Sequence, residues 1–275
     1  MPGPFSLEGR VAVVTGGSGA LGSTACVALA GAGASVGVLA RDRARIDAVV
    51  AEIAAAGGDA FALPGDVLDR DNLERARDLV LDRHGRLDVL VNAAGGNLRD
   101  ATVEPDGTFF DLPPEAFDAV FRLNAQGTLL ASQVFGQALA GSGDEVPGRC
   151  IVNISSMAAD RALTRVAGYG AAKAAVENLT RWLAVDLARR FGDGLRVNAI
   201  APGFIVGAQN RALLLDANGE LTVRGQAVVD RTPAGRLGHP DDLVTTLLWL
   251  CSPESRFVTG VVVPVDGGFS AWSGI

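Results

Sequence analysis

The chain has 275 residues, of which 48% are hydrophobic and 20% charged, so it is long enough for one large domain with a buried core. Its net charge of −7 argues against nucleic acid and anionic membranes as partners, and no apolar run reaches the ~18 residues that a membrane helix needs. The N-terminus lacks a signal-peptide pattern, and Cys26, Cys150 and Cys251 have no disulfide or metal-binding spacing. We therefore expect a cytoplasmic protein with reduced thiols.

Short β-branched runs alternate along the chain with helical patterns. The runs that end in turn residues predict seven strands, at 10–17, 34–40, 59–67, 86–95, 149–156, 195–203 and 260–268. Helical patterns lie between them, at 20–32, 43–57, 70–84, 114–140, 168–191 and 240–252. This alternation predicts an α/β fold, a Rossmann-type doubly wound parallel sheet of about seven strands with helices on both faces.

No internal repeat or linker divides the sequence, so we expect residues 1–275 to form a single domain. Two segments, 97–114 and 207–238, interrupt the alternation. Each follows a predicted strand end, which is where ligands bind in open α/β sheets, so we interpret both as substrate-side insertions. His84 and His239 have no histidine or cysteine partner at metal-binding spacing; we interpret both as structural and predict no metal site.

The stretch TGGSGALG, residues 15–22, follows the first predicted strand and opens the first predicted helix. Glycines at such a turn let the backbone approach a pyrophosphate, and the helix N-terminus adds free N–H groups and a positive partial charge. A tight structural turn is the alternative, since glycine is abundant in this chain. In its strand–turn–helix context the stretch predicts a dinucleotide site.

Tyr169 and Lys173 are the only tyrosine and the only lysine of the chain, which elsewhere uses phenylalanine and arginine. On a helix, their spacing puts both side chains on one face. A phenol has an ordinary pKa of ~10, and a neighbouring ammonium is expected to lower that pKa by favouring the phenolate. Phenylalanine has no proton to transfer, and arginine does not release its proton. The pair predicts a general acid/base site with a rate contribution of ~10² to 10⁴.

Taken in order, TGGSGALG, GDV (65–67), NAAG (92–95), NISSM (153–157) and YGAAK (169–173) resemble the short-chain dehydrogenase/reductase family over nearly the whole chain. The resemblance implies an NAD(P)-dependent oxidoreductase that interconverts a ketone and a secondary alcohol by hydride transfer. It implies that Tyr169 protonates the substrate oxygen, that Ser156 holds this oxygen, and that Asn124 anchors a water molecule linked to Lys173. Ser155 is expected to be structural, and a helix-interior hydrogen bond is the alternative for Asn124.

The resemblance also implies a set of cofactor contacts. These are Thr15, Gly16, Ser18, Ala20, Leu21, Gly22, Arg41, Asp66, Val67, Asn92, Ala93, Gly95, Tyr169, Lys173, Pro202, Gly203 and Ile205. Within this set Ala20 replaces a family glycine, and nearby Gly207 replaces a frequent threonine. An Asx turn is the alternative for Asp66, and a structural clamp is the alternative for Asn92.

The end of the second predicted strand distinguishes NAD from NADP, since an acidic residue there binds the ribose hydroxyls and an arginine binds the 2′-phosphate. Ala40 stands at the acidic position and Arg41 follows it, so NADP(H) is favoured over NAD(H). Gly19, where many NADP-using relatives carry a second basic residue, argues against this choice. The alternative for Arg41 and Arg43 is that both are solvated.

Further stretches, among them NAAGGN, FFDL, QNR and the tail PVDGGFSAWSGI, are similar to the D-mannonate oxidoreductase (fructuronate reductase) branch of the family. This similarity implies a small-molecule substrate that is a keto sugar acid. The predicted pocket residues are Asn97, Ser156, Met157, Gln209, Asn210 and Arg211. One arginine is expected to bind the substrate carboxylate, and the candidates, each of which could instead be a surface charge, are Arg99, Arg161, Arg165 and Arg211.

Two other functions stay open at this stage: a general carbonyl reductase of a neutral ketose or a 3-oxoacyl thioester, and a non-catalytic NADP-binding sensor. Family relatives are usually tetramers, so a homo-oligomer, tetramer or dimer, is expected through the helix of Tyr169 and the C-terminal strand. That helix carries an apolar stripe, which either contacts a second subunit or packs in the core of its own chain. The stripe consists of Leu179, Trp182, Leu183 and Leu187.

Overall fold

The computed structural model describes residues 3, 5–142, 148–207 and 210–273. Within these residues, seven parallel strands form one sheet in the order β3-β2-β1-β4-β5-β6-β7. The strands are β1 (Val11–Thr15), β2 (Ser35–Ala40), β3 (Asp59–Pro64), β4 (Val89–Asn92), β5 (Arg149–Ile154), β6 (Leu195–Pro202) and β7 (Val262–Val265). The predicted Rossmann-type sheet is confirmed.

Helices cover both faces of this sheet. They are α1 (Ala20–Gly31), α2 (Arg43–Ala55), α3 (Arg70–His84), α4 (Pro114–Phe121), α5 (Gly127–Gly141), α6 (Ala167–Phe191), α7 (Arg211–Leu214), α8 (Val223–Asp230) and α9 (Val244–Cys251). The strand order reverses direction between β1 and β4, so the carboxyl ends of these neighbours open into the crevice where ligands bind in such sheets.

The core consists of two apolar layers because successive strand side chains point to opposite faces. From β1, Ala12 and Val14 pack with the layer under α1, α2 and α9, whereas Val11 and Val13 pack with the layer under α3, α5 and α6. Phe135 is fully buried in the second layer, and burial of a side chain of this size contributes about 2 kcal/mol. The layers hold the carboxyl ends of the strands in fixed relative positions.

Two segments differ from the sequence prediction. The helix expected over 114–140 is two helices, α4 and α5, joined by a π-helical turn at Arg122–Gln126. The helix expected over 240–252 begins as a 3₁₀ turn at Pro240–Leu243, where proline occupies the first helical position. Single π turns inside helices occur frequently at functional sites.

Both predicted insertions contain short elements of their own. Segment 97–114 contains two 3₁₀ turns, Arg99–Ala101 and Phe109–Asp111, and segment 207–238 contains α7 and α8. They follow β4 and β6, so both lie at the carboxyl edge of the sheet. Among the helices of the described residues, none is both long and apolar enough to cross a bilayer.

Candidate active site

The glycine-rich turn fits closely between β1 and α1. Gly16 has a φ of +66°, and an added Cβ there would lie 2.7 Å from the Ala94 backbone. A Cβ on Gly22 would lie 2.1 Å from the Gly16 carbonyl oxygen, so neither position accepts a side chain. Gly19 gives α1 no side-chain cap, which leaves the N–H groups of the first helical turn without partners inside the helix. This cradle suits a pyrophosphate, and Ala20, exposed at the first helical position, does not obstruct it.

The other predicted contacts of this region lie around the same turn. Thr15 is buried at the end of β1, where its hydroxyl accepts a hydrogen bond from the Ala94 N–H at 3.3 Å and joins β1 to the segment after β4. Ser18 is half-buried in the turn, and Leu21 packs on the apolar layer under α1.

The end of β2 presents basic groups to the glycine-rich turn. Arg41 is exposed and has no hydrogen bond or ion pair with any residue that the structure describes. The Asp42 carboxylate caps α2 by accepting from the Arg45 N–H at 3.2 Å, and Arg43 pairs with Asp47. Arg45 Nη2 donates to the Ser18 carbonyl oxygen at 2.9 Å. Arg45 was not predicted from the sequence; its place in the first turn of α2, shortly after β2, is the signal that could have indicated it.

Asp66 and Asn92 make the contacts that the alternatives raised from sequence describe. Asp66 Oδ1 accepts from the Leu68 N–H at 2.9 Å, which is an Asx turn after β3. Asn92 is 2% exposed and donates to Ser132 Oγ and Asn153 Oδ1, so it clamps β4 to its neighbours. Its Oδ1 atom is buried without a hydrogen-bond partner.

The remaining predicted contacts also lie at strand ends. Val67 is buried after β3, and Ala93, half-buried, follows β4. Pro202 ends β6, and an added Cβ on Gly203 would lie 2.7 Å from Asp266, so the two loops touch there. Ile205 is buried and forms a bridge with Gly238 in the second insertion.

Tyr169, Lys173 and Ser156 meet between β5 and the start of α6. Lys173 is 4% exposed, and its Nζ donates to the Ile154 carbonyl oxygen at 2.7 Å while lying 5.7 Å from the centre of the Tyr169 ring. Ser156 follows β5 and has an extended backbone, with its Oγ accepting from the Ala158 N–H at 3.1 Å. The Ser156 hydroxyl also interacts with the phenol of Tyr169. The arrangement places a hydroxyl, a phenol and an ammonium in one small volume.

Asn124 lies in the π turn and is fully buried. Its Nδ2 donates to the carbonyl oxygens of Gly96 and Val120, and its Oδ1 accepts from the Gly96 N–H at 2.9 Å. The helix-interior bond considered from sequence is therefore present, together with a second bond to the loop after β4. An added Cβ on Gly95 would lie 2.5 Å from Asn124 Oδ1 and 3.4 Å from Lys173 Nζ, so glycine is needed between them.

The pKa of Tyr169 differs from the sequence expectation. Burial raises this pKa above its ordinary value, and the interaction with Ser156 opposes the rise only in part. Burial also lowers the pKa of Lys173 to about 8. The predicted lowering of the tyrosine pKa is therefore wrong in direction, because desolvation of the phenolate is the largest effect. A neutral phenol is the form that can donate a proton.

Asn210 and Asn97, two predicted pocket residues, form hydrogen bonds within their own loops. Asn210 Oδ1 accepts from the Gly207 N–H, and its Nδ2 donates to the Ile205 carbonyl oxygen, both at 2.8 Å. Met157 is buried and starts a 3₁₀ turn after Ser156. Asn97 donates to Thr102 Oγ1, but its Oδ1 is buried without a partner in the part of the chain that the structure describes. Gln209 lies outside the described residues.

The four candidate arginines fall into two groups. Arg161 donates to the Ser270 carbonyl oxygen, and Arg165, whose φ is +76°, donates to the Val103 carbonyl oxygen and lies 3.7 Å from Glu104. These two join loops to each other. The other two, Arg99 and Arg211, are exposed, and neither side chain makes a hydrogen bond or ion pair with a described residue.

Both histidines have local partners. His84 packs on Phe61 with ring centres 5.1 Å apart, and His239 accepts from the Asp241 N–H at the start of the 3₁₀ turn. Across the described residues, no group of three or more histidine, cysteine or acidic side chains could hold a metal ion.

Comparison with known proteins gives consistent results over almost the whole chain. The sequence model of a family described as enoyl-(acyl carrier protein) reductase matches residues 17–270. The uncharacterized oxidoreductase UxuB of Bacillus subtilis is 47% identical, over 98% of this chain and 98% of its own.

Two solved structures are also similar. A provisionally named D-mannonate oxidoreductase of Haemophilus influenzae with bound NAD has a TM-score of 0.89 at 40% identity over 98% of both chains. A gluconate 5-dehydrogenase of Burkholderia cenocepacia in complex with NADP and tartrate has a TM-score of 0.85 at 30% identity over 98% of both chains.

These matches cover the glycine-rich turn, the β5–α6 site and both insertions together. Relatives and structural neighbours are oxidoreductases, and they include complexes with NAD and with NADP. The chain is therefore an enzyme of the short-chain dehydrogenase/reductase family, an NAD(P)-dependent oxidoreductase that acts on CH–OH groups.

Proposed function

We propose that this enzyme interconverts a keto sugar acid, such as fructuronate, and the corresponding secondary alcohol, with NADP(H) as the preferred nucleotide. The observation that carries the proposal is the meeting of Ser156, Tyr169 and Lys173 at the carboxyl end of β5. A phenol kept neutral by burial, next to a lysine with a pKa of about 8, is suited to passing a proton to a carbonyl oxygen.

Each of the four residues has a separate role in this proposal. Tyr169 donates its proton to the substrate oxygen in reduction and takes it back in oxidation. Ser156 donates a hydrogen bond to that oxygen as negative charge develops. Lys173 resupplies the proton of the phenol, and Asn124 fixes the loop after β4 beside Lys173. The nicotinamide nucleotide, when bound, supplies or accepts the hydride.

The chain's residues fit the nucleotide at both ends of the crevice. Gly16 and Gly22 leave space for a pyrophosphate at the N-terminus of α1, and Gly203 and Ile205 form the loop that would hold the nicotinamide. Arg41 supports NADP because its guanidinium has no partner among the described residues, while the adjacent acid, Asp42, caps α2. The bound NAD of the H. influenzae structure favours the other nucleotide, so this preference needs a direct test.

Three features support a sugar acid. Asn97 Oδ1 is a buried acceptor with no donor among the described residues, and a substrate hydroxyl would satisfy it. Arg99 and Arg211, one in each insertion, have side chains without a partner among the described residues, so each can bind a carboxylate. The similar structures are those of a provisionally named D-mannonate oxidoreductase and a gluconate 5-dehydrogenase, both of which act on sugar acids by name.

The test is nucleotide consumption by the purified protein with NADPH and NADH in parallel. The substrates are fructuronate, a neutral ketose and a 3-oxoacyl thioester. We expect fructuronate to give the highest kcat/KM and NADPH to be preferred. Turnover of only the ketose or the thioester would favour the general carbonyl reductase. Nucleotide binding without turnover of any ketone would favour the sensor.

We also propose a homo-oligomer. On α6, Leu183 and Leu187 pack on the apolar layer of their own chain, whereas Trp182 and Val185 are each 61% exposed. A second copy would bury such a patch. Sedimentation equilibrium should give a mass of two or four chains, and a monomer at micromolar concentration would contradict the proposal. Location in the cytoplasm stays a prediction from the sequence.

A further inference from the structure

A buried carboxylate lies on the helix of Tyr169 and has no role in the chemistry described above. Glu177 is 8% exposed, and it follows Tyr169 and Lys173 at four-residue intervals on the same face of α6. Glutamate is rarely buried without partners, because removal of its charge from water is unfavourable. Glu177 has two partners: its Oε1 accepts from Ser155 Oγ at 3.0 Å, and its Oε2 accepts from Arg181 Nη2 at 3.2 Å.

The Ser155 bond is one of a series that joins β5 to α6. The series consists of Asn153 Nδ2 to Thr180 Oγ1 at 2.9 Å, Lys173 Nζ to the Ile154 carbonyl oxygen at 2.7 Å, and Ser155 Oγ to Glu177 Oε1 at 3.0 Å. The bonds involve three consecutive residues of the chain, and the next residue is Ser156. The Ser155 N–H also donates to the Ile200 carbonyl oxygen at 2.7 Å, which fixes its backbone to β6.

These contacts leave Ser156 little freedom relative to Tyr169. The residue before it, Ser155, is held to β6 by its N–H and to α6 by its hydroxyl. Tyr169 is on the same helix as Glu177, two turns nearer the N-terminus. The Ser155–Glu177 bond therefore fixes the strand end that carries one reacting group to the helix that carries the other.

We propose that Ser155 and Glu177 are positioning residues, whose hydrogen bond holds the Ser156 hydroxyl at the distance from Tyr169 that the reaction needs. The inference rests on the proposed proton transfer between Tyr169 and the substrate oxygen. It gives Ser155 a part in catalysis, whereas the sequence alone suggests a structural residue. Neither positioning residue touches the substrate, so loss of the bond should slow the chemical step and leave nucleotide binding intact.

The experiment compares Ser155→Ala, Glu177→Ala and Glu177→Gln in the full-length protein. Because small displacements of reacting groups reduce rates steeply, we expect Ser155→Ala and Glu177→Ala each to lower kcat by about tenfold or more, with the KM for the nucleotide changed less than about twofold. Glutamine can still accept from Ser155, so Glu177→Gln should recover most of the rate. The double variant should lose no more than either single variant, since one bond is removed in all three.

A primary deuterium isotope effect on kcat adds a readout that lower stability would not change. It should increase in Ser155→Ala if hydride transfer has become slower than product release. The matched control is Ser35→Ala, which removes another serine–carboxylate bond, to Asp59, at the start of β2 and far from the site. We expect its kcat and isotope effect to equal those of the unchanged protein.

Two outcomes overturn the inference. The first is a folded Ser155→Ala variant with unchanged kcat, which decides the matter even if Glu177→Ala fails to fold. The second is an equal loss of kcat in Ser35→Ala, which would show that lower stability of the fold, wherever it arises, reduces kcat. Tyr169→Phe separates this inference from the proposed function: if that variant retains the full rate, the proposed chemistry fails, whatever Ser155 does.

Discussion

The β5–α6 side of the site and the two insertions use polar residues in opposite ways. At β5 and α6, Ser156, Lys173 and Glu177 are at most 8% exposed and have hydrogen bonds within the chain. In the insertions, Arg99 and Arg211 are exposed, and their side chains have no hydrogen bond or ion pair with any described residue. The polar groups at β5 and α6 are thus paired before a substrate binds, whereas the arginine side chains in the insertions are available to a ligand.

This difference separates two requirements of an oxidoreductase. Proton transfer needs groups at fixed distances, and buried hydrogen bonds supply this order. Recognition of a charged substrate needs unpaired groups that a ligand can satisfy. Substitutions at β5 and α6 should therefore change kcat, and substitutions in the insertions should change KM.

The largest effect is expected for Lys173→Arg. Arginine does not release its proton and is bulkier than lysine, which is only 4% exposed here, so kcat should fall by about 10² to 10⁴. Steady-state kinetics with saturating substrate and nucleotide measures it. Arg189→Lys, an exposed position on the same helix, is the control and should keep the full rate. A Lys173→Arg variant with most of the rate would contradict the role of lysine in proton supply.

The next effect concerns the nucleotide. Arg41→Ala should weaken NADPH binding by about 10- to 100-fold, because a charge-assisted pair with the 2′-phosphate is lost, and should leave NADH binding almost unchanged. Isothermal titration calorimetry measures both affinities without turnover. Arg43→Ala is the matched control, since Arg43 already pairs with Asp47. Equal weakening of both nucleotides by Arg41→Ala would remove the argument for NADP.

The pH dependence of reduction should show the ionisation of Lys173. Below its pKa of about 8 the lysine is protonated and can resupply the phenol, and above that pKa it is neutral. The reduction rate should therefore fall by about tenfold per pH unit on the alkaline side, whereas oxidation should become faster with rising pH. A reduction rate that stays constant up to pH ~10, the ordinary lysine pKa, would contradict this assignment.

The smallest effect is expected in the insertions. Either Arg99→Ala or Arg211→Ala should raise the KM for a sugar acid by about tenfold, with kcat nearly unchanged, because one exposed ion pair with the substrate is lost. The KM for a neutral ketose should not change. Arg75→Ala, at an exposed position on α3, serves as the control. If both insertion variants keep the original KM, the carboxylate is bound elsewhere.

Local signals in the sequence explain which parts of the fold could be predicted. The helix predicted over 70–84 matches α3 because Asp69 caps its start and Gly85, with a φ of +70°, ends it. The π turn could not be predicted, since it accompanies a bond between Asn124 and Gly96 that joins distant segments. Tertiary contacts of this kind leave no pattern in the local sequence.

The same limit applies to the site. Tyr169 and Lys173 could be identified because they are the only residues of their type. The direction of the tyrosine pKa could not, because it depends on burial in the folded chain. The loop bonds of Arg161 and Arg165 also depend on segments that meet only after folding. The identity of the reacting side chains was thus predictable from the sequence, whereas their burial and the contacts around them were not.

In the proposed function, Tyr169 transfers the proton while hydride transfer occurs next to it. Tyr169→Phe tests it most directly, with nucleotide affinity measured by calorimetry and turnover measured with fructuronate in the same preparation. We expect unchanged nucleotide affinity and a kcat lower by at least about 10², since the phenol is the proposed proton donor. A variant that binds the nucleotide and turns over at the original rate would show that Tyr169 is not the proton donor.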